Sequence, residues 1–177
     1  MLRALRARTV EKNGEVWMVE LERVAPSDLS LREVRDDDLD TFFEDQADPD
    51  AARMAALPSR DRAAHFAHWT KILADDTVIA RTIVVDGDVA GNAVSWEHDS
   101  RRLIGYWIGR AHWGRGIATA ALSRFIEVID ELPLHAFVAT SNVGSIRVLE
   151  KCGFRPSGSP MTGDDGIEEV LMELTKK

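Results

Sequence analysis

The residues with chemistry to offer cluster between positions 103 and 122. A nearly continuous apolar run, Leu103-Ile104-Gly105-Tyr106-Trp107-Ile108-Gly109, passes through Arg110-Ala111-His112 into Trp113-Gly114-Arg115-Gly116-Ile117-Ala118-Thr119 and then an amphipathic stretch. That order reads as strand, glycine loop, helix. Two closely spaced glycines let a loop expose its backbone N–H groups, and the helix N-terminus behind them carries partial positive charge. The combination is an anion cradle suited to a phosphate or pyrophosphate; for a glycine pair alone, a tight turn without a ligand is the plainer alternative. Two other phosphate-binding loops are excluded. A dinucleotide loop requires a third glycine where Thr119 stands and a preceding βαβ unit, and a Walker loop requires Gly-Lys-Ser/Thr.

The elements that must hold this loop read as α+β. Leu31 to Val34 is a first strand, and Asp36 caps a helix carrying Leu39, Phe42 and Phe43. Ser59 caps a second helix through Ala74, with Phe66, Trp69 and Leu73 on one face. Thr77 to Val85 and Val89 to Trp96 flank Asp86-Gly87, the pair that a type I′ hairpin turn prefers. Leu103 to Ile108 follows as another antiparallel strand. Beyond the loop, Ala121, Leu122, Phe125, Ile126 and Ile129 recur at helical spacing, Pro133 ends that helix, and His135 to Thr140 and Val170 to Leu174 are further strands.

With 177 residues, 45% hydrophobic and 29% charged, the chain can build one sizeable core without disulfides. Residues 30–177 are read as a single domain and residues 1–29 as an extension. In that extension Arg3, Arg6 and Arg8 are offset by Glu11, Glu15, Glu20 and Glu22, Val16 to Val19 can add an edge strand, and Met18 is an alternative start. A single cysteine and no signal-like segment point to a reducing cytoplasm. No apolar run approaches the roughly twenty residues of a membrane span. A net charge of −8 argues against a nucleic-acid partner and for cationic ones. His65 and His68 lack a third ligand and read as solvated positions rather than a metal site, and Cys152 reads as a small buried thiol.

Four segments in order carry a family resemblance: the Tyr106-Trp107 strand, the loop from Trp113 to Thr119, Asn142-Val143-Gly144-Ser145, and Glu150-Lys151-Cys152-Gly153-Phe154. Together they resemble the acyl-CoA-binding core of the GNAT superfamily of N-acetyltransferases, most closely the branch containing the ribosomal-protein N-terminal acetyltransferases. The likeness extends over about residues 30–175. It implies a mixed, mostly antiparallel twisted sheet, flanked by helices and splayed at a slot for acetyl-CoA, the co-substrate.

The resemblance also implies roles. The strand from Tyr106 to Arg110, with Trp107, Ile108 and Gly109, pairs through its backbone with the pantetheine arm, and a bulge there opens the slot. Gly114, Arg115, Gly116, Ile117, Ala118 and Thr119 hold the pyrophosphate, with Trp113 at a position where the superfamily usually has Arg or Gln. Asn142 and Ser145 face the cofactor, although Asn142 equally suits a helix cap. Leu149 occupies the place of a tyrosine that in many members protonates the departing thiolate, which leaves Ser145 or solvent to do so. Glu97 and His98 are candidate general bases, with a polar turn as their other reading; proximity and backbone polarisation offer a route without a base. The implied reaction is direct transfer in a ternary complex to a primary amine, on a protein or peptide N-terminus or a small cationic molecule. A non-catalytic acyl-CoA sensor is the alternative. Asp36, Asp37, Asp38, Glu44, Glu97, Asp99, Asp164 and Asp165 are candidates for an acidic acceptor mouth. No metal or membrane partner is implied, and a monomer or homodimer is expected.

Overall fold

Alternating hydrophobicity in the middle of the chain specifies strands that pair in sequence order. The computed structural model describes residues 6–12, 15–22, 28–56, 60–163 and 166–177. Strands β1 (Arg6–Lys12) and β2 (Glu15–Glu22) form a separate two-stranded antiparallel ribbon, so the extra strand expected at Val16 to Val19 pairs there and not on the main sheet. The main sheet starts with β3 (Leu29–Arg32), β4 (Ile79–Val85), β5 (Asp88–His98) and β6 (Arg101–Ile108), each antiparallel to the one before. Asp86 and Gly87 take φ of 54° and 90°, as the type I′ hairpin requires. Asp99 and Ser100, at 49° and 57°, make a second tight turn between β5 and β6.

After β6 the chain crosses over through α4 (Ile117–Val128) into β7 (Leu134–Ala139), which lies parallel to β6. Their ladder comprises Arg102 with Leu134 and Leu103 with His135, and past these pairs the strands separate. β10 (Glu168–Leu174) pairs antiparallel along the whole of β7, and the short β8 (Arg155–Pro156) and β9 (Met161–Thr162) pair with β10. The sheet is therefore mixed, mostly antiparallel and splayed between β6 and β7. The splay has a different origin from the expected bulge. β5 and β6 keep one register from Gly91 with Ile108 to His98 with Arg101, and the register shift lies one strand away, between Ile83 and Val84. The slot opens because β7 leaves β6 to follow β10.

Successive residues of β5 contribute to two different apolar clusters, which places the clusters on opposite faces. Ala93 joins Ile104, Ile108, Leu122, Phe125 and Phe154 in the core beneath α4 and α5 (Val143–Lys151). Val94 packs against Leu39, Phe42, Trp69 and Ala80, where α1 (Asp38–Ala47) and α3 (Arg62–Ala74) sit, with α2 (Pro49–Ala55) between them in sequence.

Two helix starts differ from the sequence reading. Asp36 does not cap α1; instead Asp38 is buried and accepts hydrogen bonds from Arg32, the Thr82 hydroxyl and the Arg35 N–H, tying the helix to β3 and β4. Asp61 caps α3 by accepting from the Ala64 N–H, while Ser59 lies outside the described residues. The buried face of α3 is His65 and Trp69, with Ile72 partly covered, and Leu73 is 44% exposed. His65 is thus not solvated. Its ring nitrogen is hydrogen-bonded to the Leu39 carbonyl at 3.2 Å, and among the described residues no group of three potential ligands could hold a metal.

Candidate functional site

A cavity of about 660 Å³ lies between the end of β6, the loop that follows it and α5. Tyr106, Trp107 and Ile108 line its strand side, the loop from Trp113 to Thr119 its end, Asn142, Ser145, Arg147 and Lys151 its α5 side, and Ala51 and Met54 of α2 its mouth. Of the residues expected to hold a cofactor, all but Gly109 line this space.

The edge of β6 is prepared for a strand-like ligand. Gly109 donates its N–H to Ala90 on β5 at 2.9 Å, so by the alternation of an antiparallel ladder the N–H and C=O of Tyr106 and Ile108 point the other way, into the slot. The Ile108 carbonyl is taken by the Trp113 indole N–H at 2.7 Å. Trp113 therefore replaces the usual polar side chain with a tie that holds the loop against the strand end. Gly91 supports the same place from beneath, since a Cβ there would stand 2.0 Å from the Trp107 carbonyl oxygen.

In the loop, Gly114 and Gly116 have φ of 71° and 76°, conformations that other residues resist, and a Cβ on either would meet nothing within 4 Å. Both backbones border open space. The first-turn N–H groups of α4 have no intrahelical acceptors, and Ile117, Ala118 and Thr119 border the cavity at this partly positive helix end. Arg115 is partly engaged by Asp86, 3.4 Å away. Two cations that the sequence reading missed also reach this space: Arg147 and Lys151 line the cavity with Gly144 and Val148. Positions 144, 147, 148 and 151 form one helical stripe, a signal available once the helix start at Asn142 is placed.

Asn142 does cap α5, accepting from the Ser145 N–H at 3.0 Å, and it also borders the cavity. The Ser145 hydroxyl is hydrogen-bonded to the Tyr106 phenol at 2.8 Å. Leu149 is packed in the core, 2% exposed, and offers no proton. Burial pushes the Tyr106 phenol up to about 12 against the opposing effect of the Ser145 hydrogen bond, so it remains a proton donor at neutral pH. His112 borders the cavity with its Nδ1 buried and unpartnered among the described residues, and burial lowers its pKa.

Other expected residues are not brought here. Glu97 and His98 are exposed beside the β5–β6 turn, and Glu97 pairs with Arg102, five residues and roughly 16 Å along β6 from Trp107. They belong to the polar turn, which also removes Asp99 from the acceptor mouth. Asp38 is buried against Arg32, and Asp164 and Asp165 lie outside the described residues. Cys152 is half-buried, with its thiol 3.6 Å from the Thr119 carbonyl oxygen, and burial raises its pKa, as suits an inert thiol.

A family model described as an acetyltransferase (GNAT) domain matches residues 28–155. The chain belongs to the GNAT acetyltransferase family. Among GNAT relatives, the probable N-acetyltransferase YjcK of Bacillus subtilis is 46% identical over 60 residues, 32% of this chain and 33% of that protein. An uncharacterized N-acetyltransferase of Schizosaccharomyces pombe is 31% identical over 94 residues, 51% of this chain and 50% of its own. The match thus spans between a third and a half of the length of these two relatives. The solved structures it resembles include an aminoglycoside acetyltransferase in complex with coenzyme A, at TM-score 0.70 and 22% identity over 84% of this chain and 95% of that one. Spermidine N-acetyltransferase from Vibrio cholerae, with CoA and spermine, gives 0.72 at 15% identity over 83% and 95%. RimJ of Mycobacterium smegmatis, with CoA-disulfide, gives 0.68 at 23% identity over 83% and 81%. These similarities show the shared GNAT fold.

Proposed function

We propose that this GNAT protein is an N-acetyltransferase that moves the acetyl group of acetyl-CoA to a primary amine by direct attack in a ternary complex. The observation that carries the reading is a cavity, beside the place where the β6–β7 ladder stops, that joins the outer edge of β6 to an N–H-rich loop and to the cations Arg147 and Lys151 of α5. When bound there, acetyl-CoA supplies the thioester carbon that the amine attacks. The N–H groups from Gly114 to Thr119, with Arg147 and Lys151, hold the phosphates. The slot-facing backbone of Tyr106 and Ile108 binds the pantetheine amides and polarises the thioester carbonyl. Ser145, hydrogen-bonded to Tyr106, gives the proton that the departing thiolate takes up, in place of the tyrosine that Leu149 displaces. No side chain is acylated.

The acceptor is a cationic amine, either a protein or peptide N-terminus as in the ribosomal-protein branch or a small polyamine. The net charge of −8 supports this class, as does the presence among the similar structures of complexes holding spermine and kanamycin, both polycationic. Thiol release from acetyl-CoA across a panel of peptide and small amines tests the reading. Tight acetyl-CoA binding with no thiol release for any amine would refute catalysis and favour the sensor.

A further inference from the structure

Polar side chains form a row across the α1-facing side of the sheet. Arg32 pairs with Thr82, Thr82 with Asn92, and Asn92 with Trp107, so the four stand on one face. The first two are satisfied, because both donate to the Asp38 carboxylate. The last two are not. Asn92, 5% exposed, has its amide nitrogen unpartnered, and the Trp107 indole nitrogen is likewise buried with no partner among the described residues. Both atoms can only donate, and two buried donors without acceptors mark a place where a ligand oxygen completes the hydrogen bonding.

Glycines stand on either side of Trp107 along that face. Gly105 lies under Trp96, whose ring carbons would be 3.4 Å from a Cβ there, and Gly109 lies under the Asp45 carboxylate, which a Cβ would strike. Burial, with Glu44 and Asp48 adding to it, pushes that carboxyl up to about 6. Trp107 is therefore the side chain that the end of β6 offers to a ligand on the α1-facing side, bracketed by an aromatic ring and an acid.

The cavity has two sides. Tyr106 and Ile108 pack towards α4 and α5, and on that side stand the loop, Ser145, Arg147 and Lys151, the groups that would hold the cofactor. Trp107 points the opposite way by strand alternation, and with it Ala51, Met54 and Ala55 of α2, which packs on α1, line the cavity. An amine that reaches a thioester lying along the β6 edge arrives from the side that the cofactor leaves open, past α2 and Trp107.

We propose that Trp107 and Asn92 determine acceptor specificity by donating hydrogen bonds to a carbonyl oxygen next to the reacting amine, so that the substrate is an aminoacyl compound, such as a peptide N-terminus, and not a polyamine. This rests on the N-acetyltransferase reading above. A protonated polyamine carries donors alone and would leave both nitrogens unpaired, which a binding site registers as discrimination. A hydroxyl brings a proton that needs an acceptor of its own, whereas a carbonyl oxygen has two lone pairs and nothing to donate. The carbonyl of an aminoacyl group is directly attached to the carbon that bears the amine. Held by Trp107, it keeps that amine close to the slot-facing backbone of Tyr106 and Ile108 on either side.

Thiol release from acetyl-CoA, expressed as kcat/KM for the unprotonated amine, compares alanine dimethylamide with the alkene of the same skeleton, in which CH replaces C=O and carbon replaces the amide nitrogen, and with spermine and kanamycin. The wild type should favour the amide over the alkene and over spermine by about 30-fold. Trp107→Phe should lower the amide-to-alkene ratio from about 30 to about 3, through a raised KM for the amide, and Asn92→Leu should lower it in the same direction. A structural defect alone would slow both amines alike and keep the ratio. A wild-type ratio near one, a spermine or kanamycin rate equal to that of the amide, or an unchanged ratio in both variants overturns this proposal alone. A wild type that binds acetyl-CoA but releases no thiol with any primary amine defeats the underlying reading as well.

Discussion

Replacing Gly116 by valine separates the cost of folding from the cost of binding, because the structure assigns them to different causes. Gly116 caps α4 at φ of 76°, a conformation that costs a side-chain-bearing residue about 1–2 kcal/mol, so the melting temperature should fall by about 5 °C. Nothing in the free protein lies within 4 Å of a Cβ there, so no packing penalty is added. The bound state is different. The side chain would project into the space that a pyrophosphate needs, and N–H bonds to a charged acceptor are worth about 1.5–3 kcal/mol each. Losing contact with one or two of them, about 3 kcal/mol, corresponds to about 150-fold in Kd. Calorimetry with acetyl-CoA on variant protein whose circular dichroism matches the wild type measures this directly. An unchanged Kd would remove the loop from the binding site and refute the cradle, whatever the change in stability.

Ser145→Ala and Tyr106→Phe should each lower kcat by at least tenfold with little change in acetyl-CoA affinity, since proton donation to the thiolate matters only in the transition state; wild-type rates in both would assign that proton to solvent. Arg147→Ala with Lys151→Ala should weaken acetyl-CoA binding by about 100-fold and flatten its salt dependence, and titrations at two ionic strengths decide this. Stability should respond to pH through Asp45, whose carboxyl lies at about 6, above its unfolded value, so that its contribution is complete below about pH 4 and is lost as pH rises through 6. Relative to the wild type, Asp45→Asn should therefore be more stable in urea at pH 8 than at pH 4, by about 1 kcal/mol once the full displacement of about 3 kcal/mol is discounted for the carboxyl's exposure; a larger relative loss at pH 8 would contradict this.

The sheet order and the loop were legible because their signals are local. The Asp86-Gly87 turn, the glycine pair at 114 and 116, and the apolar spacing of α4 each act within a few residues, and each reappears in place. What failed was whatever depended on which surface an element met. The α3 stripe was read as Phe66, Trp69 and Leu73; Trp69 and Phe66 do pack on the cluster, but Leu73 stays exposed and His65 turns inward to the Leu39 carbonyl. Asp38 looked like one of several exposed acids at a helix start, and only the register that sets Arg32 beside Thr82 shows why it is buried. In that site burial alone would raise its carboxyl, and the Arg32, Thr82 and Arg35 donors bring it down to about 2.

The same distinction governs the chemistry. The backbone groups proposed to bind the phosphates belong to one short segment, so the sequence places them, whereas Arg147, Lys151 and the side chains proposed to move protons come to the slot from elements apart from that loop. Tyr106 meets Ser145 across 39 residues. A proton donor needs only to reach the sulfur and a base only to reach the amine, so either role can pass to a different element while the cradle stays fixed. Tyr106 brings its hydroxyl to Ser145 from the strand, and Leu149 packs into the core on the inner side of the helix that carries Arg147 and Lys151.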